Sequence, residues 1–340
     1  MFTPKYHFSP KLLENITQIE RLYGQLEALR IPKKLELNLE RNNLIQSAYI
    51  SNSIEGNPLS LPEVTNLLLG SRVPANRDEK EVKNYFEILK DLNSYVNQPL
   101  SLINIKEIHQ KLLAGVKDKI AGKIRDKMVV VGRYRQFEKG LGLDIKHNPP
   151  FHTKIMIELA INQLLNWVKV DKQSPTIIKI GVFHHQFVFI HPFEDGNGRV
   201  CRLLTAFLFL QSDYLINKYF VLDDWYDIDR LLYSDKLHSA DSGEATQWLE
   251  YFSDGVKYSL QGALARVKNA MTTLNIEQRL TTREQEVLKL FQTIKEMTST
   301  DLAQKLNISR QQAHRLLSSL VNKGLLEKKG QTKSTYYFLK

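Results

Sequence analysis

The chain has 340 residues, which is long enough for two or three domains with a substantial core. Its hydrophobic fraction of 42% and charged fraction of 25% are ordinary for a soluble protein, and no run of eighteen apolar residues occurs, so we expect no membrane span. Residues 1–10 contain no apolar signal core and the single Cys201 excludes an intrachain disulfide, which together favour a cytoplasmic protein.

The positive charge is concentrated near the C-terminal end. The formal net charge is +10, and residues 281–340 hold 11 Lys and Arg against 5 Asp and Glu, which gives +6. A basic end of this kind indicates an acidic partner, and nucleic acid is the first candidate.

The N-terminal hundred residues are predicted to be helical. Apolar residues recur at helical spacing over 10–28, and a second helix is predicted over 34–54. Gly56 and Pro58 follow that helix and are strong stop signals. Ser60 and Glu63 have the spacing of a capping box, so we expect the next helix to begin directly after Ser60.

The central part of the chain is predicted to hold one β-hairpin between helices. Its strands are predicted at 127–132 and 144–148, with the turn at Gly140, Leu141 and Gly142. Helices are predicted over 102–116, 155–168 and 176–190.

The histidines of these segments predict no metal site. His184 and His185 lie on the helix predicted over 176–190, where a histidine is more often a structural residue than a ligand. His7, His109 and His238 belong to no constellation by spacing, and the nine histidines contain no recognisable three-ligand set.

Residues 280–340 are predicted to form a separate module. Helices are predicted over 283–294, 302–306 and 310–323, and strands over 324–327 and 335–339 would form a wing. This pattern resembles a winged helix-turn-helix of the kind that binds bacterial operators. The recognition helix would be lined by Arg310, Gln311, Gln312, His314 and Arg315. Because a fold does not fix its function, dimerisation or substrate docking is an alternative to DNA binding.

The most informative segment is 191–202, which reads His-Pro-Phe-Glu-Asp-Gly-Asn-Gly-Arg-Val-Cys-Arg. Gly196 and Gly198 allow the backbone to approach a ligand closely. The apolar run 203–210 that follows is predicted to be a buried helix. Free N–H groups and the positive end of the dipole at its start would favour a polyphosphate.

Charged and titratable side chains complete this segment. Arg199 and Arg202 are three residues apart, so they share a helix face, and their planar guanidinium groups suit phosphate oxygens. Asp195 offers a hard oxygen to Mg²⁺, which typically binds through one or two carboxylates plus substrate phosphates. His191 can accept a proton near neutral pH. From the residues alone, a phosphate-binding helix start without chemistry is the alternative.

The segment resembles the signature of the Fic family, His-x-Phe-x-(Asp/Glu)-Gly-Asn-Gly-Arg-x-x-Arg, and matches it at every specified position. The resemblance implies a mainly α fold in which a Fic-type helical core carries a β-hairpin flap, followed here by the winged helix-turn-helix. It also implies transfer of the AMP part of ATP to a hydroxyl of a protein side chain. The Doc branch of the family, which acts as a kinase, lacks the Gly-Asn-Gly element that this chain keeps, so nucleotidyl transfer is favoured.

The same resemblance implies a role for each signature residue. His191 would deprotonate the target hydroxyl, and Asp195 would hold Mg²⁺ against the α- and β-phosphates. The other nucleotide-binding residues would be Gly196, Asn197 and Gly198 in the anion hole and Arg199 and Arg202 at the outer phosphates.

Residues 51–56, Ser-Asn-Ser-Ile-Glu-Gly, resemble the inhibitory motif of many Fic proteins, (Ser/Thr)-x-x-x-Glu-(Gly/Asn). By this resemblance Ser51 opens the motif and Glu55 pairs with Arg202. A carboxylate on Arg202 would compete with the γ-phosphate, so ATP would bind in an unproductive pose. A surface glutamate near a helix end is the alternative interpretation.

The resemblance also implies how the target protein and the adenosine of the nucleotide would be held. In Fic proteins a hairpin in the place of residues 127–149 holds the target segment as an added strand, although an ordinary connecting hairpin has the same pattern. The family often has a Tyr-Tyr pair near the adenosine and a polar residue about seven positions later. This chain has Tyr233 followed by Ser234, and then Asp241. Tyr233 and Asp241 are therefore candidate nucleotide contacts, and Tyr233 is equally well explained as a core aromatic.

We predict three regions: helices carrying the inhibitory motif at 1–99, the Fic core at 100–275 and the winged helix-turn-helix at 280–340. The predicted function is a self-inhibited protein adenylyltransferase that uses Mg²⁺ and ATP on a Ser, Thr or Tyr of a target protein or of itself. Removal of AMP at the same site is one alternative, and a DNA-binding regulator whose Fic site senses nucleotide is another. The sequence leaves open a homodimer and a different nucleotide such as UTP.

Overall fold

The computed structural model describes residues 2–70, 72–137, 140–278, 280–330 and 335–340. The chain divides into two compact units, Met1–Ala265 and Arg266–Lys340. In the first unit the N-terminal helices pack against the central helices. The division between the units falls inside a long helix. The regions 1–99, 100–275 and 280–340 stay predictions.

The N-terminal part of the first unit is helical, as predicted. It comprises α1 (Pro10–Glu27), α2 (Lys33–Ile54), α3 (Leu61–Leu69), α4 (Arg77–Asp91) and a 3-10 helix (Leu92–Ser94). The Ser60–Glu63 capping box is present and fixes the start of α3. Burial of one face of α2 and α4 against each other places the end of α2 over the centre of the unit.

The centre of the first unit contains α5 (Leu102–Leu113), α6 (Lys154–Val170), α7 (Thr176–Ile190) and α8 (Asn197–Gln211). Helix α5 ends three residues before the predicted position, because Ala114 leaves the helical region and Gly115 adopts a positive φ of 66°. Helices α7 and α8 pack against each other and are buried along most of their length. Cys201 on α8 is buried, and its thiol donates to the carbonyl of His184, so its predicted structural role fits.

One antiparallel hairpin projects from this centre, with strands β1 (Val131–Phe137) and β2 (Gly140–His147). The predicted strands at 127–132 and 144–148 are wrong in their bounds. Gly140 and Gly142 pair within the ladder and do not form the predicted turn, since glycine weakens a strand but does not exclude it. The residues that join the strands, 138–139, are part of the predicted flap and lie outside the described residues.

The first unit continues with α9 (Asp223–Ile228), α10 (Arg230–Ser239) and a 3-10 helix (Ala240–Ser242). Helix α11 (Thr246–Gln278) follows and extends past the boundary between the units. Trp248 of α11 is fully buried, and its indole N–H donates to the carbonyl of Gly181, which ties α11 to α7. No helix within the described ranges is both long and apolar enough to cross a membrane.

The second unit is a winged helix-turn-helix, as predicted. It contains α12 (Thr282–Phe291), β3 (Glu296–Met297), α13 (Ser299–Leu306), α14 (Arg310–Asn322), β4 (Leu326–Lys329) and β5 (Tyr336–Leu339). Its sheet has the order β3–β5–β4 and is antiparallel. The sequence did not indicate β3, because two residues are too few to show an alternating pattern. Three helices begin with capping boxes, at Thr281, Thr298 and Ser309.

Candidate active site

His191 lies directly after α7, at the point where the chain turns into the loop that precedes α8. Its backbone is left-handed, with φ 51° and ψ 64°. Few residues other than glycine adopt this conformation, which costs on the order of 1–3 kcal/mol and persists only where the surroundings hold it. The strained position ends α7 and directs the chain through Pro192 to Gly196.

Arg125 is the residue that holds this turn. Its side chain is fully buried and donates to three carbonyls: Nε to His191 at 2.6 Å, Nη1 to Lys127 at 2.7 Å and Nη2 to Ile190 at 3.2 Å. Its backbone N–H donates to the carbonyl of Pro192 at 3.0 Å. A cation at a helix C-terminus is favourable because it meets the negative end of the dipole. Sequence reasoning missed Arg125, since nothing in its local pattern connects it with a helix end 65 residues away.

The His191 imidazole is suited to accept a proton. Burial lowers its pKa to about 4, and the nearby His147, whose ring centroid is 6.5 Å away, acts in the same direction. His191 is therefore neutral near pH 7, which is the form that a general base requires.

The loop after His191 is closed by Asn197. Its side-chain oxygen accepts from the N–H of Phe193 and its amide nitrogen donates to the carbonyl of Phe193, both at 2.9 Å. Gly196 precedes α8 with a positive φ of 78°, a conformation that favours glycine. The first N–H groups of α8 have no acceptor within the helix, so they are available to an anion. Asn197 thus shapes the predicted anion hole through its side chain.

His109 packs against the same loop and is hydrogen-bonded to it. Its ring stacks on Phe193 with centroids 3.7 Å apart. Its Nδ1 accepts from the N–H of Gly122 at 2.9 Å, and its Nε2–H donates to the carbonyl of Asp195 at 3.0 Å. This pairing requires the neutral ring, and burial lowers the pKa of His109 to about 4. By sequence His109 belonged to no constellation; the structure makes it a support of the signature loop.

The Asp195 carboxylate is paired with a lysine side chain in this structure. Its carboxylate forms an ion pair with Lys117, accepts from the N–H of Gly196 at 2.7 Å and lies 3.9 Å from Arg199. Burial favours a higher pKa, but the Lys117 hydrogen bond and the Arg199 charge outweigh it, so the pKa of Asp195 falls below its usual value. An ionised, half-exposed carboxylate that already holds an ammonium group fits the predicted Mg²⁺ ligand. Lys117 belongs to no motif and was not predicted.

Arg199 is buried and paired with a carboxylate of the N-terminal region. Its Nη1 lies 2.9 Å from Glu81 on α4, and the other oxygen of Glu81 accepts from Arg77, also at 2.9 Å. The sequence predicted that Arg199 reaches outer phosphates, but it gave no indication of Glu81. In this structure the guanidinium already has a negatively charged partner.

Arg202 makes the contact that the inhibitory motif implies. Its Nη2 donates to Glu55 at 2.7 Å, and its Nε donates to the Ser51 hydroxyl at 2.7 Å. Nη2 also donates to the Ser51 carbonyl at 2.8 Å, and Asp223 lies 3.7 Å from Nε. The Arg202 side chain is 3% exposed, whereas that of Glu55 is 35% exposed. Both predicted residues of the motif therefore engage one buried cation.

Glu55 also occupies the space above the glycine loop. A Cβ added to Gly198 would collide with the Glu55 carboxylate and approach Arg202 at 3.2 Å. The carboxylate thus lies in the hollow that glycine leaves open at the start of α8. An anionic ligand at this place would meet the negative charge of Glu55.

Tyr233 and Asp241 were predicted to contact the nucleotide, and the structure gives both other partners. Tyr233 is buried, stacks on Tyr226 with centroids 4.3 Å apart, and its hydroxyl pairs with His184 at 2.9 Å. This arrangement favours the core interpretation of Tyr233. Histidine nitrogens lie within 3.0 Å of both carboxylate oxygens of Asp241, so each oxygen already faces a partner within the chain.

The predicted DNA-reading residues lie at the start of α14. Four of them are exposed and border a surface hollow together with residues 298–300 and Lys328: Arg310, Gln311, His314 and Arg315. Gln312 is also exposed, and its side-chain oxygen accepts from the N–H of Ser309 at 2.9 Å and completes a capping box.

Two parts of the chain are similar to known protein families. Residues 99–209 match the Fic/DOC family, and residues 283–330 match the IclR helix-turn-helix domain. The protein adenylyltransferase fic-1 of Caenorhabditis elegans is 26% identical over 294 residues, which is 82% of this chain and 52% of that protein. The protein adenylyltransferase Fic of Aedes aegypti is 28% identical over 270 residues, which is 74% of this chain and 48% of that protein. The chain thus spans about half the length of the curated relatives that it matches.

Solved structures of Fic proteins have a fold similar to that of this chain. A Fic family protein from Desulfovibrio desulfuricans is similar over 100% of this chain and 98% of its own, with a TM-score of 0.66 and 24% identity. Fic-1 from C. elegans is similar over 74% of this chain and 71% of its own, with a TM-score of 0.59 and 22% identity. Residues 99–209, which contain the complete signature at 191–202, thus form a domain of the Fic/DOC family.

Proposed function

We propose that this chain is a protein adenylyltransferase that transfers AMP from ATP to a hydroxyl of a target protein. The observation that carries the proposal is the start of α8, where the loop that follows a neutral His191 leads into the open first turn of the helix beside the hollow at Gly198. Arg202, now paired with Glu55, borders the same hollow at Gly198. The name of the C. elegans and Aedes relatives supports the same activity.

The proposed chemistry is an in-line displacement. His191 takes the proton of a Ser, Thr or Tyr hydroxyl, whose oxygen then forms a bond to the α-phosphorus. The bond from that phosphorus to the oxygen bridging to the β-phosphate breaks, and pyrophosphate leaves. N–H groups at the start of α8 and the arginines stabilise the charge on the phosphates. Mg²⁺ held by Asp195 would add electrostatic stabilisation of those oxygens.

We also propose that the arrangement described above is a restrained state. Arg202 is paired with Glu55, Arg199 with Glu81, and Asp195 with Lys117. Each group to which we assign a phosphate or a metal is therefore engaged by another part of the chain. A productive nucleotide must exchange at least the Glu55 contact, because carboxylate and phosphate cannot both occupy the space beside Gly198.

The test is incubation of the protein with Mg²⁺ and ATP labelled at the α- or the γ-phosphate, followed by a denaturing gel. We expect α-label on protein to be weak with wild type, strong with Glu55→Gly and absent with Glu55→Gly/His191→Ala. Binding of a fluorescent ATP analogue to the double variant checks that the hollow is intact. Transfer of γ-label would identify a kinase and refute the proposal, as would undiminished α-transfer without His191.

A chase experiment distinguishes AMP removal at the same site from AMP transfer. Protein labelled by Glu55→Gly is purified and given to the wild type without ATP. Stable label supports transfer as the main reaction. Loss of label that requires both Glu55 and His191 would instead assign AMP removal to the wild type.

A second function, DNA binding, is favoured by the exposed side chains of α14. Arg310, Gln311 and Arg315 present donors and acceptors on one hollow, with Lys328 of the wing beside them. The test is a gel shift with random and genomic DNA at several salt concentrations. Replacing Arg315 with alanine should weaken binding and lower the salt slope by about 1 if the residue contacts a phosphate. No shift at moderate salt would refute this function.

A further inference from the structure

Three histidines surround Asp241 next to the hairpin. Nδ1 of His147 and Nδ1 of His238 lie 2.7 and 3.0 Å from one carboxylate oxygen, Oδ2. Nε2 of His185 lies 2.9 Å from the other oxygen, Oδ1. These residues come from the end of β2, from α10, from α7 and from the 3-10 helix that follows α10. The sequence predicted no three-ligand set, and the fold assembles one.

The hydrogen bonds of His185 are satisfied by a neutral ring. Its Nδ1 pairs with the Gln186 amide at 3.1 Å, so its Nε2–H can donate to Asp241. The ring therefore orients Oδ1 and needs no further charge. His185 orients the carboxylate through this hydrogen bond, as groups hydrogen-bonded to a metal ligand commonly do.

The hydrogen bonds of His147 are not satisfied in this way. Its Nε2 lies 2.9 Å from the carbonyl of Phe189, which can only accept, so Nε2 must carry a hydrogen. In a neutral ring Nδ1 then has a lone pair, and that lone pair faces Oδ2 of Asp241 at 2.7 Å. Two lone pairs at this distance repel each other. A cation, either a second proton on His147 or a metal ion, is required between these atoms.

We propose that this cation is a transition-metal ion of the Zn²⁺ class, bound by Nδ1 of His147, Nδ1 of His238 and Oδ2 of Asp241. One ligand atom from each of these three residues lies within 4.8 Å of the other two. Among the residues that the structure describes, this is the one group of at least three histidine, cysteine or acidic side chains close enough to hold a metal. Imidazole ligands select Zn²⁺, Co²⁺ or Ni²⁺ over Mg²⁺, so the site is chemically distinct from Asp195.

The surroundings match those of a bound metal. The Phe189 carbonyl fixes the His147 ring through Nε2, and His185 fixes the carboxylate through Oδ1. His147 is almost fully buried, whereas the side chains of His238 and Asp241 are 14% and 22% exposed, which leaves a route for the ion from solvent. Three protein ligands leave a fourth tetrahedral position for water.

The ion would act on the hairpin. His147 is the last residue of β2, whereas His238 and Asp241 belong to the helical layer. A metal bound by all three would fix the base of the hairpin beside His191, whose ring is 6.5 Å from that of His147. The ion would fix the hairpin in this way whichever reaction the site performs.

The test uses the full chain without a polyhistidine tag, first depleted of metal and then titrated with Co²⁺. We expect one Co²⁺ per chain with the intense visible absorption of a tetrahedral site, displaced by an equivalent of Zn²⁺. We also expect Zn²⁺ to raise the Tm, because a ligand of the folded state stabilises it. His314→Ala is the matched control, since it removes an exposed histidine of the other unit and should leave all three readouts unchanged.

Two variants make the test specific. His185→Gln should weaken Co²⁺ binding about 10- to 100-fold, as expected for a supporting group, and His238→Ala should weaken it further. The Tm rise with Zn²⁺ should disappear in His238→Ala, and circular dichroism of that variant checks that it folds. If wild type gives no tetrahedral spectrum, or if His238→Ala binds as wild type does, the proposal is overturned and a proton on His147 is the cation. If His238→Ala does not fold, weaker Co²⁺ binding by His185→Gln supports the proposal, and Co²⁺ binding equal to that of wild type overturns it.

Discussion

Replacing Glu55 should change stability and nucleotide affinity in opposite directions. The Arg202 guanidinium is buried, and Glu55 is one of its two acidic neighbours. Removing one partner of a fully buried ion pair costs about 3–5 kcal/mol. The cost should be smaller here, because Arg202 keeps the Ser51 hydroxyl, the Ser51 carbonyl and Asp223, and because Glu55 is partly exposed. We expect Glu55→Gly to cost about 1–2 kcal/mol, which lowers the Tm of a unit of this size by about 2–4 °C.

The same substitution should strengthen ATP binding. It frees Arg202 for a phosphate and empties the space beside Gly198. A hydrogen bond to a charged group contributes about 1.5–3 kcal/mol, so the affinity should rise by about 10- to 150-fold. Glu55→Gln should fall between wild type and Glu55→Gly, because the amide oxygen can still accept from Arg202 but carries no charge.

The assays are calorimetric titration with ATP and Mg²⁺ and thermal unfolding without nucleotide. Glu107→Gln is the control, since it removes an exposed carboxylate of α5 and should affect neither quantity. The reasoning would be refuted if Glu55→Gly bound ATP more weakly than wild type. It would also be refuted if the Tm and the affinity rose together, because the ion pair would then contribute nothing to the fold.

Three further outcomes follow from the same contacts. Arg125→Met should lower kcat of the Glu55→Gly background by about 10- to 100-fold with a smaller change in KM, because Arg125 fixes the carbonyls around His191; equal kcat values in steady-state kinetics would contradict this. Gly198→Ala should lower the Tm of wild type more than that of Glu55→Gly, since its Cβ collides with the Glu55 carboxylate, and additive Tm changes would argue against the collision. Burial holds the pKa of His184 at about 3 and that of His191 at about 4. The unfolded chain therefore binds protons that these two residues exclude, so stability should fall as the pH drops from about 6.5 to about 4. Urea unfolding at several pH values checks this, and a more acid-resistant fold in His184→Gln would support it.

The sequence was most informative where the signal is local. Helix bounds for α1, α2 and α7 were predicted within one or two residues, because periodicity and end signals act over a few positions. The hairpin bounds were wrong, since two-residue alternation over a few positions is a weak signal and glycines at 140 and 142 suggested a turn inside a strand. Strand β3 has too few residues to carry any pattern.

In the candidate site, too, residues within a short local pattern were recognised and their distant partners were not. The signature at 191–202 and the motif at 51–56 each occupy one short segment, so their residue types could be recognised, and the pairing of Glu55 with Arg202 followed from the family resemblance. The partners Arg125, Glu81 and Lys117 could not be recognised, because each acts on a residue 66 to 118 positions away and has no distinctive neighbours. Tyr233 illustrates the opposite case, in which a residue of fitting type and position has its hydroxyl bound within the core.

The sequence by itself determined the mainly helical class and the winged helix-turn-helix near the C-terminal end, and it predicted a polyphosphate loop with a base beside it. These properties depend on residue type and on spacing within about one helix turn. Only the tertiary structure decided that the arginines, Asp195 and Asp241 all have partners within the chain. Such contacts join segments that are distant along the chain, and they are set by how the helices pack, which no local pattern encodes.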